Sequence, residues 1–275
     1  KLLAENLLQP NNEITVFNRK GTGPKGCLII KGDRNNLEDL NKINFSHFDC
    51  IIDMCLYKPK QFKLIEPLLE DITPYIFISS GAAYKDTNIW PITEDNETFG
   101  MEAYGDYGVE KASVENLIKK SNLKKYKILR PTYIVGEGNH NPRLGHYIKC
   151  LQNNETINIA GNGENIINLV FAKDVVGCIK KVMLDTYHYT DIGINEYNIS
   201  SDEFLTVNSL VFIIAKELGV LELSIKHDST GSDVIFPPNN YGIFSNKMIK
   251  KHHYNKFKTL QESLPNYIEW YNKNN

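Results

Sequence analysis

The sequence lacks a long hydrophobic run and a strong net charge, and each absence excludes a class of protein. No apolar stretch approaches the roughly 18 residues that a membrane-spanning helix needs, so the sequence predicts no membrane segment. The 31 Lys and Arg residues nearly balance the 33 Asp and Glu residues, and the formal net charge is −2. This balance does not favour binding to nucleic acid or to an anionic membrane.

The sequence also lacks a paired cysteine pattern. Its five cysteines are odd in number, lie in apolar segments and show no C-x-x-C spacing. We therefore predict reduced thiols in a cytoplasmic protein, with no disulfide framework and no metal site. Low-complexity tracts, linkers and internal repeats are absent as well. A chain of 275 residues is long enough to bury a substantial hydrophobic core.

Hydrophobic patterns predict strands that alternate with helices through the first half of the chain. The predicted strands lie at 13–17, 27–30, 49–55, 75–80 and 126–129, and the predicted helices at 36–43, 61–69 and 104–121. This alternation predicts an α/β fold with a doubly wound parallel sheet. Ligands of such sheets bind beyond the carboxyl ends of the strands.

The regular alternation of predicted strands and helices changes at about residue 137. Further strands are predicted at 156–159, 166–171, 197–199 and 221–225, and further helices at 143–152, from 174, at 207–218 and at 260–271. We predict that residues 1–136 form one part of the protein. Residues 137–275 mainly form a smaller α/β part that is interleaved with the first.

Tyr107 and Lys111 stand four residues apart in a predicted helix, so both side chains emerge on one face. A lysine ammonium beside a phenol stabilises the phenolate and lowers a pKa that starts near ~10. Such a tyrosine can exchange a proton with a substrate hydroxyl near neutral pH. The same spacing also occurs by chance on the surface of amphipathic helices. The pattern therefore indicates a catalytic pair only when other motifs of the sequence support it.

A glycine-rich segment at 21–26 matches the pattern G-x-G-x-x-G. A loop that binds pyrophosphate needs a strand before it and a helix after it, so that the phosphate meets the helix N-terminus. Here a predicted strand follows at Cys27, and we predict a turn that binds no pyrophosphate. The chain begins at Lys1 inside a helical pattern, and we expect a first strand and the phosphate-binding loop to precede it.

Several segments together resemble the extended short-chain dehydrogenases/reductases of the NAD-dependent epimerase/dehydratase family. The segments that carry the resemblance are Phe77–Tyr84, the Tyr107–Lys111 pair, Leu129–Gly136, Phe171–Asp174 and Tyr197–Ile199. Their order and spacing extend the resemblance over nearly the whole chain. The nearest branch includes the chloroplast stem-loop-binding proteins, some of which are linked to RNA. The resemblance implies a Rossmann-type cofactor domain at 1–136 and a substrate-binding role for most of 137–275.

The resemblance also implies a catalytic triad of Ser80, Tyr107 and Lys111. Tyr107 would be the general acid/base, Lys111 would lower its pKa and hold the cofactor ribose, and Ser80 would hydrogen-bond the reacting oxygen. The nicotinamide would carry the hydride. The residues expected to bind the cofactor are Arg19, Asp33, Met54, Cys55, Ser79, Pro131 and Thr132. For Ser79 and for Asp53, a structural role is the alternative.

The cofactor choice depends on the end of the first predicted strand. NAD-selective members carry an acidic residue there that accepts the ribose hydroxyls. This chain has Asn18, Arg19 and Lys20 instead, and two cations can pair with a 2′-phosphate. The residues therefore favour NADP over NAD. The alternative is that Arg19 and Lys20 are solvated charges at the end of a strand.

Arginine is scarce, which affects the substrate. The chain has four arginines and none after Arg143. Family members that bind nucleotide sugars hold the diphosphate with arginines of the second half, whereas the matching positions here are Ile167 and Ser229–Thr230. We expect a small-molecule substrate with a reactive hydroxyl or keto carbon, such as a sugar, without the standard diphosphate clamp. Lysine or Arg143 can replace that clamp.

Two further expectations concern partners. The resemblance implies a homodimer through the catalytic helix. The alternative function is a non-catalytic or RNA-associated binding protein on the same fold, although the acidic balance argues against RNA because phosphate binding needs a basic surface. The His252–His253 pair near three lysines is typical of a solvated helix end and predicts neither a metal site nor an RNA site.

Overall fold

The computed structural model describes residues 1–139, 143–188, 193–228 and 235–275. The strands are β1 (Thr15–Asn18), β2 (Leu28–Lys31), β3 (Ile51–Asp53), β4 (Tyr75–Ile78), β5 (Tyr126–Pro131), β6 (Tyr133–Val135), β7 (Ile157–Ala160), β8 (Ile166–Phe171), β9 (Glu196–Ile199), β10 (Phe204–Thr206) and β11 (Ile225–Asp228). The helices are α1 (Leu2–Leu7), α2 (Leu37–Leu40), α3 (Pro59–Ile65), α4 (Gly105–Lys120), α5 (Arg143–Gln152), α6 (Ala172–Tyr187), α7 (Val207–Leu218), α8 (Lys247–His252) and α9 (Leu260–Asn274).

A parallel sheet with the order β3-β4-β5-β9 forms the centre of the fold, and β1 and β2 form a separate parallel pair. Strand β4 is buried along its whole length because helices cover both faces. Phe77 packs towards α3 and α4, whereas Ile76 and Ile78 pack towards α6. The predicted α/β fold with a doubly wound parallel sheet is confirmed.

The second half of the chain contributes most strands of two smaller sheets and one strand of the central sheet, while β6 comes from the end of the first half. Strand β8 pairs with β6 in parallel and with β10 in antiparallel orientation, and β7 pairs with β11. A hydrophobic core from α5, α7 and α9 covers these strands. Strand β9 joins β5, so residues 196–199 complete the sheet of the first half. The boundary at residue 136 stays a prediction.

Most element boundaries follow the sequence patterns, and the exceptions have physical causes. Strand β8 and helix α7 have the predicted bounds. The strand predicted at 221–225 begins only at Ile225, and Leu221 is 96% exposed. The glycine-rich segment at 21–26 is a connection between β1 and β2, with Gly21 at φ +67° and its N–H bonded to Asn18 Oδ1 at 2.8 Å. The predicted turn is confirmed.

Within the described part of the chain, no helix is long and apolar enough to cross a membrane. The same residues contain no group of three or more His, Cys, Asp or Glu side chains arranged to hold a metal ion. The five cysteines are free thiols.

Candidate active site

Most of the predicted site residues lie at one edge of the central sheet, whereas Arg19 and Asp33 follow the separate β1–β2 pair. Strands β3, β4 and β5 are neighbours and run parallel, so their carboxyl ends lie side by side. Met54 and Cys55 follow β3 and are exposed, whereas Ser79 and Ser80 follow β4. At the end of β5, Thr132 is buried and its N–H bonds Ile199 O at 3.0 Å. Pro131 is the buried last residue of that strand.

Close packing of helix α4 brings Tyr107 to Ser80. The Ser80 side chain caps a short 3₁₀ turn, Gly81–Ala83, by accepting the Ala82 N–H at 3.2 Å. Helix α4 approaches this turn so closely that a Cβ at Gly108 would lie 2.6 Å from Ala82 O. Only glycine fits such an approach, and it places the first turn of α4 against the Ser80 turn.

Tyr107 has a raised pKa. Tyr107 keeps 40% of its surface exposed, and the partial desolvation of its phenol, which disfavours the phenolate, is the largest cause of the rise. Hydrogen bonding to Ser80 and the positive charge of Arg143 act in the opposite direction. The net direction is opposite to the lowering that the sequence predicted. Desolvation outweighs the neighbouring charges, and the ammonium of Lys111 is directed elsewhere.

Lys111 is almost fully buried, and backbone carbonyls hold its ammonium. Nζ donates to Leu56 O and to Ile78 O, both at 2.8 Å. The ring centres of Phe77 and Tyr57 lie 4.7 and 4.8 Å from Nζ, and the ring of Tyr107 lies at 6.0 Å. Burial lowers the pKa of Lys111 to about 8. An ammonium has three N–H donors, so one remains for a ligand.

The β1–β2 side of the site carries exposed charges. Arg19 is exposed after β1, and Asp33 Oδ1 accepts two hydrogen bonds from Asn35 that lower the pKa of Asp33.

Asp53 is buried and pairs with Arg34 at 2.6 and 2.8 Å. Burial would raise the pKa of Asp53, but the bonds and charge of Arg34 outweigh it and hold the pKa low. Asp53 therefore forms an internal ion pair with Arg34, which favours the structural role for Asp53.

A buried polar network lies directly behind Ser80. Arg130 is fully buried and donates to Glu115 Oε2 at 2.6 Å, to Glu196, and to the Tyr84 hydroxyl at 2.8 Å. The Ser79 hydroxyl donates to Glu115, and the Tyr84 hydroxyl donates to Asn198 at 2.8 Å. The Ser79 side chain is thus buried and hydrogen-bonded to Glu115, which favours the structural role for Ser79. We refer to Ser79, Tyr84, Glu115, Arg130, Glu196 and Asn198 as the buried network.

Sequence reasoning missed Glu115, although a signal for it existed. Tyr107, Lys111 and Glu115 are spaced by four residues, so the three side chains follow one face of α4. Lys111 and Glu115 are both buried on that face. A carboxylate in line with a predicted catalytic pair indicates a buried cation nearby, and this cation is Arg130.

Aromatic side chains form the opposite side of the site. The ring of Tyr241 lies 4.4 Å from Tyr133 and 5.5 Å from Tyr104, and the Tyr133 ring lies 4.9 Å from Phe236. Tyr104 and Tyr133 share a hydrogen bond between their hydroxyls. We refer to Tyr104, Tyr133, Phe236, Tyr241 and Phe244 as the aromatic cluster.

Tyr241 links the aromatic cluster to Ser80. Its hydroxyl lies where a Cβ at Gly81 would approach to 2.4 Å. Burial raises the pKa of Tyr241 well above its ordinary value, and hydrogen bonding to Ser80 opposes that rise. No motif in the sequence pointed to Tyr241, because it lies far from Ser80 along the chain. Ser80 therefore has two tyrosine hydroxyls beside it, those of Tyr107 and Tyr241.

The model of the NAD dependent epimerase/dehydratase family matches residues 61–199, which is half of the chain and includes Ser80, Tyr107 and Lys111. The chain belongs to this family. A chloroplast stem-loop binding protein of 41 kDa from Arabidopsis thaliana is 25% identical over 204 residues, which cover 73% of this chain and 51% of the relative. The chain thus spans about half the length of that curated relative.

Solved structures share the fold of this chain. The UDP-glucose 4-epimerase of Thermotoga maritima, solved with UDP-glucose, superposes with a TM-score of 0.77 at 18% identity, covering 99% of this chain and 94% of that one. The dTDP-glucose 4,6-dehydratase of Bacillus anthracis, solved with NAD, gives 0.77 at 15% identity, covering 96% and 89%. At these identities the similarity establishes the fold.

Proposed function

We propose that this protein is an NAD(P)-dependent epimerase or dehydratase that acts on a hydroxyl or keto carbon of a sugar or nucleotide sugar. The observation that carries the proposal is the position of Tyr107 beside Ser80, with the buried ammonium of Lys111 below them. A proton-transferring phenol, a hydrogen-bonding hydroxyl and a fixed cation then meet at the ligand-binding edge of a parallel sheet.

Each residue of the triad has a distinct task in this proposal. Tyr107 takes the proton of the substrate hydroxyl as the carbon is oxidised and returns a proton when the carbonyl is reduced. Ser80 donates a hydrogen bond to the reacting oxygen and so fixes its position against Tyr107. The pKa of Tyr107 is raised in the protein alone, so its phenol rests protonated and is ready to act as the acid. Before it can take the proton of a substrate hydroxyl, it must release its own proton to solvent.

The residues at the sheet edge fit a nicotinamide cofactor. When bound, the nicotinamide accepts the hydride of the substrate carbon. The third N–H donor of Lys111 is available for a ribose hydroxyl, since backbone carbonyls occupy the other two. Met54 and Cys55 are exposed beside it and offer surface on which the cofactor can pack.

The preference for NADP over NAD is part of the proposal. Arg19 and Lys20 are exposed after β1, and neither takes part in an ion pair among the described residues. A guanidinium binds a phosphate through two parallel hydrogen bonds, so Arg19 suits a 2′-phosphate. Tighter binding of NADPH than of NADH, lost on Arg19→Ala, is the expected result of a fluorescence titration.

Nucleotide sugars are the proposed substrate class because the solved structures that share the fold include an epimerase bound to UDP-glucose. The two positions that usually supply diphosphate-binding arginines differ here. Ile167 is buried in β8, so it faces the core. Ser229–Thr230 lie outside the described residues. Any diphosphate contact must therefore come from other groups.

The test separates cofactor binding from chemistry. The full chain is titrated with NADH and NADPH, and turnover is then assayed with UDP-glucose. Tyr107→Phe should bind the cofactor as tightly as the unchanged protein and lose roughly 10²- to 10⁴-fold in turnover. Tyr271→Phe, a partly exposed tyrosine on α9, is the matched control and should change neither quantity.

Two outcomes would contradict the proposed function. Unchanged turnover in Tyr107→Phe would remove the tyrosine from the mechanism. Absence of saturable binding of either cofactor would leave the triad without a hydride acceptor, and the RNA-associated binding protein would then be favoured. Retention of a stem-loop RNA in a gel-shift assay, weakening with salt, would support that alternative.

A homodimer remains part of the proposal by resemblance alone. It would pair copies through α4, whose outward face includes Val109 at 44% exposure. Sedimentation velocity on the full chain would give the mass of the particle. A change of that mass on Val109→Glu would locate the interface on α4.

A further inference from the structure

Arg143 differs from Arg34 and Arg130 because it has no carboxylate partner among the described residues. It is the half-buried first residue of α5, and its guanidinium carbon lies 4.9 Å from the ring centre of Tyr133 and 6.0 Å from that of Phe236. Nε is buried without a hydrogen-bond partner. By contrast, Arg34 and Arg130 each pair with a carboxylate within 2.6 Å. Within the described ranges, Arg143 takes part in no ion pair.

Two tyrosine rings connect the guanidinium to Ser80. Tyr133, on which it lies, contacts Tyr241, and the Tyr241 hydroxyl lies at the Gly81 turn that Ser80 caps. The positive charge of Arg143 opposes the rise in the pKa of Tyr107. Arg143 therefore lies on the aromatic cluster that borders the triad.

The aromatic rings preorganise this cation for an anion. Contact with the ring faces of Tyr133 and Phe236 holds the guanidinium in one orientation and compensates only part of its lost hydration. The planar guanidinium still presents parallel N–H groups that match a carboxylate or a phosphate. The guanidinium is half-buried, oriented and unpaired among the described residues. An anionic group of the substrate would supply the missing ion-pair partner.

We propose that Arg143 forms an anion subsite that binds an acidic group on the reacting sugar ring itself, a carboxylate such as that of a uronic acid. This inference rests on the proposed function, because it places the sugar between Arg143 and Tyr107. The contacts from Arg143 through Tyr133 and Tyr241 to the Ser80 turn favour a substituent of the reacting ring over the more distant diphosphate. Arg143 then selects acidic sugars over neutral ones and so determines the substrate specificity of the site.

The probes that test the subsite are UDP-glucuronic acid, UDP-glucose and UDP, titrated by calorimetry into the full chain. The unchanged protein should bind UDP-glucuronic acid more tightly than UDP-glucose. Arg143→Gln should weaken UDP-glucuronic acid roughly ten- to hundredfold and leave UDP-glucose and UDP within about twofold. Arg143→Lys keeps the charge without the parallel donors and should lie between. Lys149→Gln removes an exposed cation from the same helix and should change nothing.

Three results would overturn the subsite. Equal weakening of all three probes in Arg143→Gln would mean that the residue binds the diphosphate. Unchanged binding would mean that it binds no anion, and the absence of a preference for UDP-glucuronic acid in the unchanged protein would exclude an acidic sugar. The measurement needs no turnover, so a failure of the subsite is distinguishable from a failure of Tyr107 or of cofactor binding.

Discussion

Two arginines near the candidate active site differ: Arg130 is fully buried and bonds two carboxylates and a tyrosine, whereas Arg143 lies on aromatic rings and bonds no carboxylate among the described residues. Arg130 pairs with both carboxylates of the buried network, and Lys119 outside it also pairs with Glu196 at 2.7 Å, so the guanidinium of Arg130 is not left for a ligand. Beside the aromatic cluster, the guanidinium of Arg143 is available, and the Tyr241 hydroxyl lies at the Ser80 turn. Pairing thus distinguishes a charge that holds the fold from a charge that is available for binding.

The largest expected effect comes from breaking the buried network. Arg130→Met leaves the carboxylate of Glu115 buried without a cation, and such a loss costs about 3–5 kcal/mol of the free energy of unfolding. Urea denaturation of the variant measures this loss. Arg143→Met should cost much less, because it leaves no buried charge behind.

The double variant Arg130→Met/Glu115→Met sharpens the comparison. Removing both partners should restore part of the stability that Arg130→Met loses, since no unpaired carboxylate remains at position 115. A single variant Arg130→Met that unfolds within about 1 kcal/mol of the unchanged protein would contradict the structural role of the network.

A smaller effect depends on pH and on Lys111. Burial lowers the pKa of this lysine from 10.5 to about 8, so the unfolded chain binds the proton more tightly than the folded chain. Stability relative to Lys111→Met should therefore rise as pH increases from about 8 to about 10.5, by roughly 3 kcal/mol, and should be flat below that window. Urea denaturation of both proteins across this range measures the difference. A pH-independent difference would mean that Lys111 is solvated in the folded protein.

The smallest effect should come from the hydroxyl of Tyr241. Tyr241→Phe removes one hydrogen-bond partner of Ser80, and the turnover number should fall roughly two- to tenfold, as expected for the net value of one hydrogen bond. Because Tyr241 acts through Ser80, KM for the cofactor should not change. Tyr147→Phe, on α5 beside the aromatic cluster, is the control. Equal effects of the two variants would indicate general loosening of the cluster and would contradict a specific role for Tyr241.

The sequence predicted those features that depend on local patterns. The apolar run of β8 and the amphipathic pattern of α7 gave correct bounds, and the residues after β3, β4 and β5 meet because parallel strands end at one edge. The roles of Ser80, Tyr107 and Lys111 came from the family resemblance and stay predictions until the variants are measured.

Other features were beyond the sequence because they depend on long-range contacts. The pairing of Arg130 with Glu115 and Glu196 needs three elements from both halves of the chain, and Tyr241 reaches Ser80 only through tertiary packing. The raised pKa of Tyr107 was also beyond the sequence, since a spacing pattern shows neither the partial desolvation of the phenol nor the carbonyls that hold the Lys111 ammonium. The short strands β6 and β10 have too few residues to produce a periodic signal.

The place of β9 in the central sheet has a consequence for biosynthesis. Because β9 lies beside β5 and carries Glu196 and Asn198, the ribosome must deliver residues 196–199 before Arg130 and Tyr84 obtain all their partners. Until then the nascent first half exposes a strand edge and an incompletely compensated guanidinium. Folding of the sheet is therefore completed late in translation, and a fragment that stops at residue 136 should be a substrate for chaperones and proteases.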